Sequence, residues 1–159
     1  MTVQSVRAQL AQHPFSKEFK PHQIDRLAAL AREVSFPPDH IVFREGDQVD
    51  EFYLTVTGRV ALEMVVGDKV LRIQTLGDGD EFGWSSLITG SGKQFQARTL
   101  EPVVALAFHG ELLLQACRED GDFGFQLMQR LMGIVAERLH GTRLQLIDTY
   151  SPVAKRAGA

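Results

Sequence analysis

The hydrophobic period changes in the middle of the chain, and this change constrains the fold more than any other feature. Between residues 41 and 108, apolar and polar residues alternate, and turn residues interrupt the alternation about every ten residues. A period of two is typical of half-buried strands, and regularly spaced turns are typical of an all-β sandwich or barrel. The apolar period on both sides is helical instead. The chain is therefore predicted to place a β-barrel between two helical segments.

The predicted strands and turns follow directly from this pattern. The strands contain Ile41/Phe43, Phe52/Leu54/Val56, Val60/Leu62/Met64, Leu71/Ile73 and Val104/Leu106/Phe108. The turns are Gly46-Asp47, Thr57-Gly58, Gly67-Asp68 and Gly77-Asp78-Gly79-Asp80, because Gly and Asp tolerate the backbone angles of tight turns. The acidic residues Asp78, Asp80 and Glu81 are interpreted as a solvated turn, since they lack the spacing of a calcium loop.

Helices are predicted on both sides of the barrel, which spans residues 37–109. Residues 1–36 are expected to form short helices, separated at Pro14 and Pro21. Residues 110–150 are expected to form a short helix around Glu111 to Arg118 and a long one from Phe123 to Tyr150. Pro152 should end the long helix, leaving residues 151–159 as a tail. These parts make one domain of the α+β class, mainly β.

Composition limits the function classes. With 159 residues and 44% hydrophobic residues, the chain can bury one substantial core. Its net charge of −3 is unfavourable for a nucleic-acid-binding surface. A single cysteine, Cys117, predicts a reducing compartment, and neither a signal peptide nor a membrane span is recognisable in the sequence. A cytoplasmic protein without membrane contact is expected.

The long helix carries an apolar stripe with steps of three and four residues. Its members are Met128, Met132, Val135, Leu139, Thr142 and Leu146. In the first two turns, such a stripe is explained as well by packing on the barrel as by a partner. In the second half, Leu144, Leu146 and Ile147 add more apolar surface than a small barrel covers, which favours a partner helix. A homodimer through the helix from Met128 to Ile147 is predicted.

Several motifs occur in the order of one known family. Residues 43–60 read FREGDQVDEFYLTVTGRV, with an E-G-D turn, an aromatic strand and a G-x-V turn. The other matching pieces are His13-Pro14-Phe15, Leu27 to Phe36, Leu76-Gly77, Phe82-Gly83, Leu100-Glu101-Pro102-Val103 and Ala136-Glu137-Arg138-Leu139. Over residues 8–148 the chain resembles the cyclic-nucleotide-binding domain of the catabolite-activator type. The resemblance implies a double-stranded β-helix, or jelly-roll, barrel with a long C-terminal helix.

The resemblance also implies a ligand site, the phosphate and ribose cassette. In the family, a short helix after F-G-E offers backbone N–H groups to the cyclic phosphate, the glutamate binds the ribose, and an arginine pairs with the phosphate. This chain retains Phe82, Gly83 and the pair Ser85-Ser86. The glutamate is replaced by Trp84, and the arginine position falls at Lys93 or Gln94, followed by Gln94 or Phe95.

These replacements predict weak or absent binding of cyclic AMP. The indole of Trp84 donates a hydrogen bond but cannot accept one from a hydroxyl, and Lys93 is a point charge without the fork of an arginine. One hypothesis is a working pocket, in which Trp84 and Phe95 stack on a planar anionic ligand, with Lys93 and Arg98 nearby. The alternative hypothesis is a ligand-free interaction scaffold in which the aromatic rings fill the pocket.

The helix after the barrel adds two candidate ligand contacts. By the resemblance, Thr142 and Arg143 fall where the family contacts the nucleotide base, some of these contacts being across a dimer. The other interpretation of Thr142 is packing in a dimer seam. Since no helix-turn-helix follows the helix, DNA binding by this chain is not expected, and a protein partner would receive a signal.

Enzymatic chemistry is not indicated. The five histidines are dispersed, which does not favour the metal centre of a barrel enzyme. Cys117 has no C-x-x-C partner and is interpreted as a buried structural thiol. Ser85-Ser86 lacks the G-x-S-x-G pattern of a nucleophilic serine. A regulatory or sensory module is the predicted function.

Overall fold

The barrel consists of eight antiparallel strands in two four-stranded sheets. A computed structural model describes residues 3–48, 50–88 and 92–149. The helices are α1 (Val3–Gln12), α2 (Pro21–Leu30), α3 (Ser85–Ile88), α4 (Gly110–Glu119) and α5 (Gly121–Thr149), with a 3-10 helix at Pro14–Ser16. The strands are β1 (Ala31–Phe36), β2 (Ile41–Phe43), β3 (Glu51–Thr57), β4 (Val60–Val66), β5 (Lys69–Leu76), β6 (Glu81–Phe82), β7 (Gln96–Thr99) and β8 (Val103–His109). The predicted helix end at Pro152 and the tail lie outside the described residues.

The strand order confirms the predicted fold class, a mainly β jelly-roll barrel with flanking helices. One sheet has the order β1-β8-β3-β6 and the other β2-β7-β4-β5. The predicted turns join strands that are consecutive in sequence, and only the turn at Gly67-Asp68 joins two paired strands, β4 and β5. Gly58, between β3 and β4, has φ +106°, and a Cβ there would lie 2.5 Å from the carbonyl oxygen of Pro102. Only glycine fits this turn without strain.

Three strands differ from the sequence prediction. The prediction of helix through residue 36 is wrong for its last six residues, which form β1 and pair with β8 from Ala31–Phe108 to Phe36–Val103. Backbone pairing with a distant strand outweighs the local helical spacing here. Strands β6 and β7 were not predicted either, because the first has two residues and the second has few apolar ones.

Two apolar clusters hold the fold together. The first lies between the sheets and contains Phe43, Tyr53, Val60, Leu62, Leu76, Phe82, Ala97, Val103, Ala105 and Ala107. The second joins a sheet to the helices, and its largest fully buried members are Leu10, Phe15, Leu27, Phe52, Leu54, Leu106, Phe108, Leu113, Phe123, Leu127 and Leu131. Strand β8 alternates between the clusters, as expected for period two.

Helix α5 packs on the barrel along a different stripe from the predicted one. The buried positions are Phe123, Leu127, Leu131 and Ile134. Of the predicted stripe, Met128 packs against the same cluster, whereas Met132, Leu139 and Leu146 are 66%, 51% and 52% exposed. The interpretation that the first two turns of the stripe pack on the barrel therefore holds for Met128 and the half-buried Val135 but is wrong for Met132. The dimer stays a prediction.

Candidate functional site

The segment from β6 to α3 is held against β3 by a glycine. Tyr53 of β3 pairs with Phe82, and Gly83 then turns the chain with φ +82°. A Cβ at Gly83 would lie 2.8 Å from the carbonyl oxygen of Glu51, so a larger residue would push the segment away. The turn leads directly into α3, where Ser85 is buried.

Lys93 crosses the space beside Gly83 and binds the protein's own backbone. Its Nζ donates to the carbonyl oxygens of Glu51 at 2.7 Å and of Gly83 at 2.9 Å. The same Nζ lies 4.9 Å from the centre of the Phe43 ring. Burial lowers the pKa of Lys93 from 10.5 to about 8. The ammonium group is therefore desolvated, and two of its three N–H donors are used within the protein.

A small cavity remains at this place. It measures about 30 Å³ and is lined by Phe43, Leu62, Gly83, Trp84, Ser85, Lys93, Gln94, Phe95 and Arg138. One water molecule occupies about 30 Å³ in the liquid, and drug-sized ligands need about 300 Å³ or more. The small cavity is too narrow for a nucleotide.

Arg138 of α5 covers the outer side of Trp84. Its guanidinium carbon lies 5.8 Å from the Trp84 ring, its Nη2 donates to the carbonyl oxygen of Glu81, and the same nitrogen lies 3.6 Å from Oε1 of Glu81. Burial lowers the pKa of Arg138. Burial raises the pKa of Glu81, and the charge of Arg138 opposes that rise. One arginine thus connects the middle of α5 to the segment that carries Trp84.

A large cavity lies between the barrel and α5. It measures about 400 Å³, within the range of small-molecule sites. The barrel side contributes Leu62, Ile73, Gln74, Leu76, Asp80, Glu81, Trp84 and Phe95, and α5 contributes Ile134, Val135, Glu137, Arg138, Leu139, Gly141, Thr142 and Gln145. Trp84, Phe95, Leu62 and Arg138 line both cavities and therefore form the partition between them.

Most predicted site residues meet at these two cavities. Gly83, Trp84, Ser85, Lys93, Gln94 and Phe95 line the small one, and Thr142 lines the large one. Thr142 also donates from Oγ1 to the carbonyl oxygen of Arg138 at 3.0 Å. Ser86 lies in α3, but its side chain is outside the described residues.

Three predicted residues lie elsewhere. Phe82 is buried in the barrel, where its ring stacks on Tyr53 at 4.8 Å. Arg143 is exposed on α5 and lines neither cavity. Arg98 binds Asp39 and Glu63 and lines neither cavity, contrary to the expectation that it serves a ligand beside Trp84. Its strand, β7, directs it toward these carboxylates rather than toward the cassette.

Sequence reasoning missed Arg138 and misplaced Glu81. Arg138 was part of a matching motif but received no role, because its partner is 57 residues away in sequence. The solvated-turn interpretation is wrong for Glu81, which is only 7% exposed because β6 places it beneath α5. It holds better for Asp78 and Asp80, which accept turn hydrogen bonds from the backbone N–H groups of Gly58 and Gly77 at 2.8 Å.

The described residues contain neither a metal-binding group of side chains nor a membrane-spanning helix. Within residues 3–48, 50–88 and 92–149, no three His, Cys, Asp or Glu side chains are grouped so that they could hold a metal ion. Across those ranges, every helix is too short or too polar to cross a membrane.

Comparison with known proteins identifies similar chains. The family model described as cyclic nucleotide-binding domain matches residues 33–120. The CRP-like cAMP-activated global transcriptional regulator of Mycobacterium tuberculosis is 27% identical over 130 residues, which cover 81% of this chain and 56% of the regulator. This chain therefore spans about half the length of the curated relatives that it matches.

Solved structures show the same architecture. A cyclic nucleotide-binding domain from Methylobacillus flagellatus superposes with a TM-score of 0.80 at 17% identity, covering 94% of this chain and 84% of that one. The catabolite activator protein of Thermus thermophilus gives a TM-score of 0.71 at 25% identity, covering 84% of this chain and 61% of that one.

Proposed function

This chain belongs to the cyclic nucleotide-binding domain family, as its motifs predict, and on this basis we propose that it is a non-enzymatic regulatory module that binds its ligand in the large cavity. The observation that carries the proposal is the shared wall of that cavity, which comes from the barrel and from α5. A ligand there touches both elements. It therefore favours whichever position of α5 gives the better contacts, which is a population shift.

The chain's own cassette does not suit a cyclic nucleotide bound in the family's manner. Trp84 cannot accept a hydrogen bond from a ribose hydroxyl. The ammonium of Lys93 already donates to two backbone carbonyls, and the space beside it is about 30 Å³. We therefore expect weak or absent binding of cyclic AMP, and a ligand that stacks on Trp84 from the side of α5.

The signal is passed on through the exposed half of α5, to a second subunit or to a protein partner. Met132, Leu139, Leu144, Leu146 and Ile147 are each at least 50% exposed. Apolar side chains repeated along one helix are the usual basis of helix pairing. The single cysteine and the relatives' regulatory names support, respectively, a cytoplasmic location and a regulatory role.

Sedimentation equilibrium tests whether two copies of the chain pair through α5. The wild type should be a dimer, and Met132→Lys with Leu146→Lys should give a monomer, since two buried charges in the seam are costly, and neither residue lines a cavity. His140→Lys is the matched control, because His140 is an exposed polar position on the same helix. A wild type that is monomeric at all concentrations would leave only the protein partner.

The second candidate function is a ligand-free scaffold. The observation that favours it is the internal use of Lys93, whose bonds to Glu51 and Gly83 close the cassette without a ligand. In a scaffold, Trp84 and Arg138 only pack α5 onto the barrel. The difference between the two functions is whether any small molecule stabilises the fold.

A thermal-shift panel separates the two functions. It includes cyclic AMP, cyclic GMP, cyclic dinucleotides and planar aromatic compounds of either charge, read together with the fluorescence of Trp84, the only tryptophan. A ligand at about 100 times its Kd stabilises the fold by about 2.7 kcal/mol. If nothing in the panel stabilises the protein or changes the fluorescence, the scaffold is favoured and ligand sensing is rejected.

Two glycines of α5 provide a matched control for the place of binding. Gly141 lines the large cavity and Gly133 does not, and a Cβ at either position meets no atom within 4 Å. Gly141→Leu should abolish ligand stabilisation by filling the cavity. Gly133→Leu should retain it, because Gly133 lies outside the cavity. The two variants change the helix propensity equally, so they differ only in their effect on the cavity. Equal retention by both variants would place the ligand elsewhere.

A further inference from the structure

The charges around the large cavity are mainly negative. Asp80, Glu81 and Glu137 line it, and among the described residues of its wall Arg138 is the one basic side chain. The formal charge of the wall is therefore −2, from three carboxylates and one guanidinium. Burial raises the pKa of Glu81, the charge of Arg138 opposes that rise, and Asp80 and Glu137 add two further acids to the wall. This wall repels phosphate and other anions.

The aromatic part of the wall already holds a cation. The guanidinium of Arg138 lies over the ring of Trp84 at 5.8 Å and beside the carboxylate of Glu81 at 3.6 Å. A positive group over an indole face, with an acid at its edge, is the arrangement that binds ligand cations in proteins. Phe95 adds a second ring to the same cavity.

The positive charge of Lys93 does not counter this arrangement. Lys93 lines the small cavity and not the large one, and Trp84 belongs to the partition between the two cavities. Two of its donors are bound to backbone carbonyls, as the distances of 2.7 and 2.9 Å show. Lys93, the cation that the resemblance assigns to a ligand phosphate, is thus not part of the large cavity.

We propose that the large cavity selects planar cations, that is, aromatic compounds with a positive charge on or beside the ring, and rejects cyclic phosphates. This inference rests on the proposed function, because it names the ligand class of the same cavity. Such a cation stacks on Trp84 and shares the carboxylate of Glu81 with Arg138. The pair that connects α5 to the barrel is then weakened, which gives the ligand its effect on the helix.

Three probes with the same ring and different charges test the selection. 1-Methylnicotinamide, methylated on the ring nitrogen, is a cation, nicotinamide is neutral and nicotinate is an anion. Each is titrated into the full chain at constant ionic strength, and the fluorescence of Trp84 is normalised to that of N-acetyltryptophanamide. The expected result is saturable quenching in the order cation, neutral, anion, with association constants about tenfold apart between the two ends.

Variants identify the acids responsible. Glu81→Gln with Glu137→Gln should reduce the tenfold preference to about two- to threefold. Glu137→Gln alone changes an exposed helix position and retains the Glu81 pair, so it should give an intermediate preference in a folded protein. The control is Glu101→Gln, which removes an equal charge from the exposed pair with Arg59, outside both cavities, and should leave the preference unchanged.

Two outcomes overturn the inference and are distinct from each other. If nicotinate quenches as strongly as 1-methylnicotinamide, with saturation, the cavity binds planar ligands without charge selection, and the proposed function stands alone. If none of the probes gives saturable quenching, planar-cation selection is rejected, and the broader thermal-shift panel decides whether ligand sensing fails as well.

Discussion

Trp84 faces the small cavity on its inner side and the large cavity on its outer side, and different side chains close the two sides. On the inner side, a side chain of the barrel itself, Lys93, binds two backbone carbonyls and leaves about 30 Å³. On the outer side, about 400 Å³ remains beneath α5, and Arg138 connects the helix to Glu81 and to the ring of Trp84. The inner closure consists of hydrogen bonds to the backbone of β3 and of the β6–α3 turn, whereas the outer closure is made by a helix. A ligand-responsive site is expected on the outer side.

The largest loss of stability is expected from removing the contacts of Arg138 with Glu81. Arg138→Ala should lower the free energy of unfolding by about 3 kcal/mol, because it leaves the buried carboxylate of Glu81 without a cation. Urea denaturation measures the change. Arg143→Ala is the control, since Arg143 is exposed on the same helix, and it should change stability by less than about 0.5 kcal/mol. Equal effects of the two variants would remove the distinction between the closures.

A smaller effect is expected from disturbing the inner closure. Gly83→Ala should cost about 2 kcal/mol in urea denaturation, because φ is positive and the new Cβ would meet the carbonyl oxygen of Glu51 at 2.8 Å. Gly67→Ala also has a positive φ, but a Cβ there meets no atom within 4 Å, so it should cost only about 1 kcal/mol. If the two costs are equal, Gly83 does not hold the segment against β3.

The smallest effect is a pH dependence. Burial lowers the pKa of Lys93 to about 8 in the folded chain, against 10.5 ordinarily. Above pH 8 the unfolded chain therefore holds the proton that the folded chain releases, so stability rises with pH. From about pH 7.5 to about pH 9.5, the wild type should gain about 1 kcal/mol relative to Lys93→Met in denaturant melts.

The matching control for this pH effect is Lys69→Met, which removes an exposed lysine of β5. The difference between wild type and Lys69→Met should remain constant over the same pH interval. A constant difference for Lys93→Met as well would mean that its ammonium is not desolvated.

The sequence predicts the strands that alternate and end in glycine turns, but not those held together by buried polar groups. In β7, the Nε2 of Gln96 donates to Glu63 at 3.0 Å, and the Oγ1 of Thr99 donates to the carbonyl oxygen of Pro37 at 2.6 Å. Such polar residues can be buried because residues distant in sequence form hydrogen bonds with them. The local hydrophobic period does not reveal this burial.

The sequence predicted several of the residues that line the candidate site, but not how they are arranged. The motif context identified Trp84 and Lys93 as the positions that differ from the family. The bonds of Lys93 to Glu51 and Gly83, and of Arg138 to Glu81, join residues far apart in sequence. These contacts depend on how strands and helix pack, and they determine which side of Trp84 offers space.

Cyclic AMP binding tests the central claim most directly, because the resemblance to the family implies a phosphate site beside Gly83 and Lys93, on the inner side of Trp84. Thermal melting with about 1 mM cyclic AMP should leave the wild-type midpoint unchanged. Trp84→Glu with Lys93→Arg should shift the midpoint upward, since it opens the inner side and restores both charged groups. A wild type that cyclic AMP stabilises as much as this double variant would contradict the closed inner cavity.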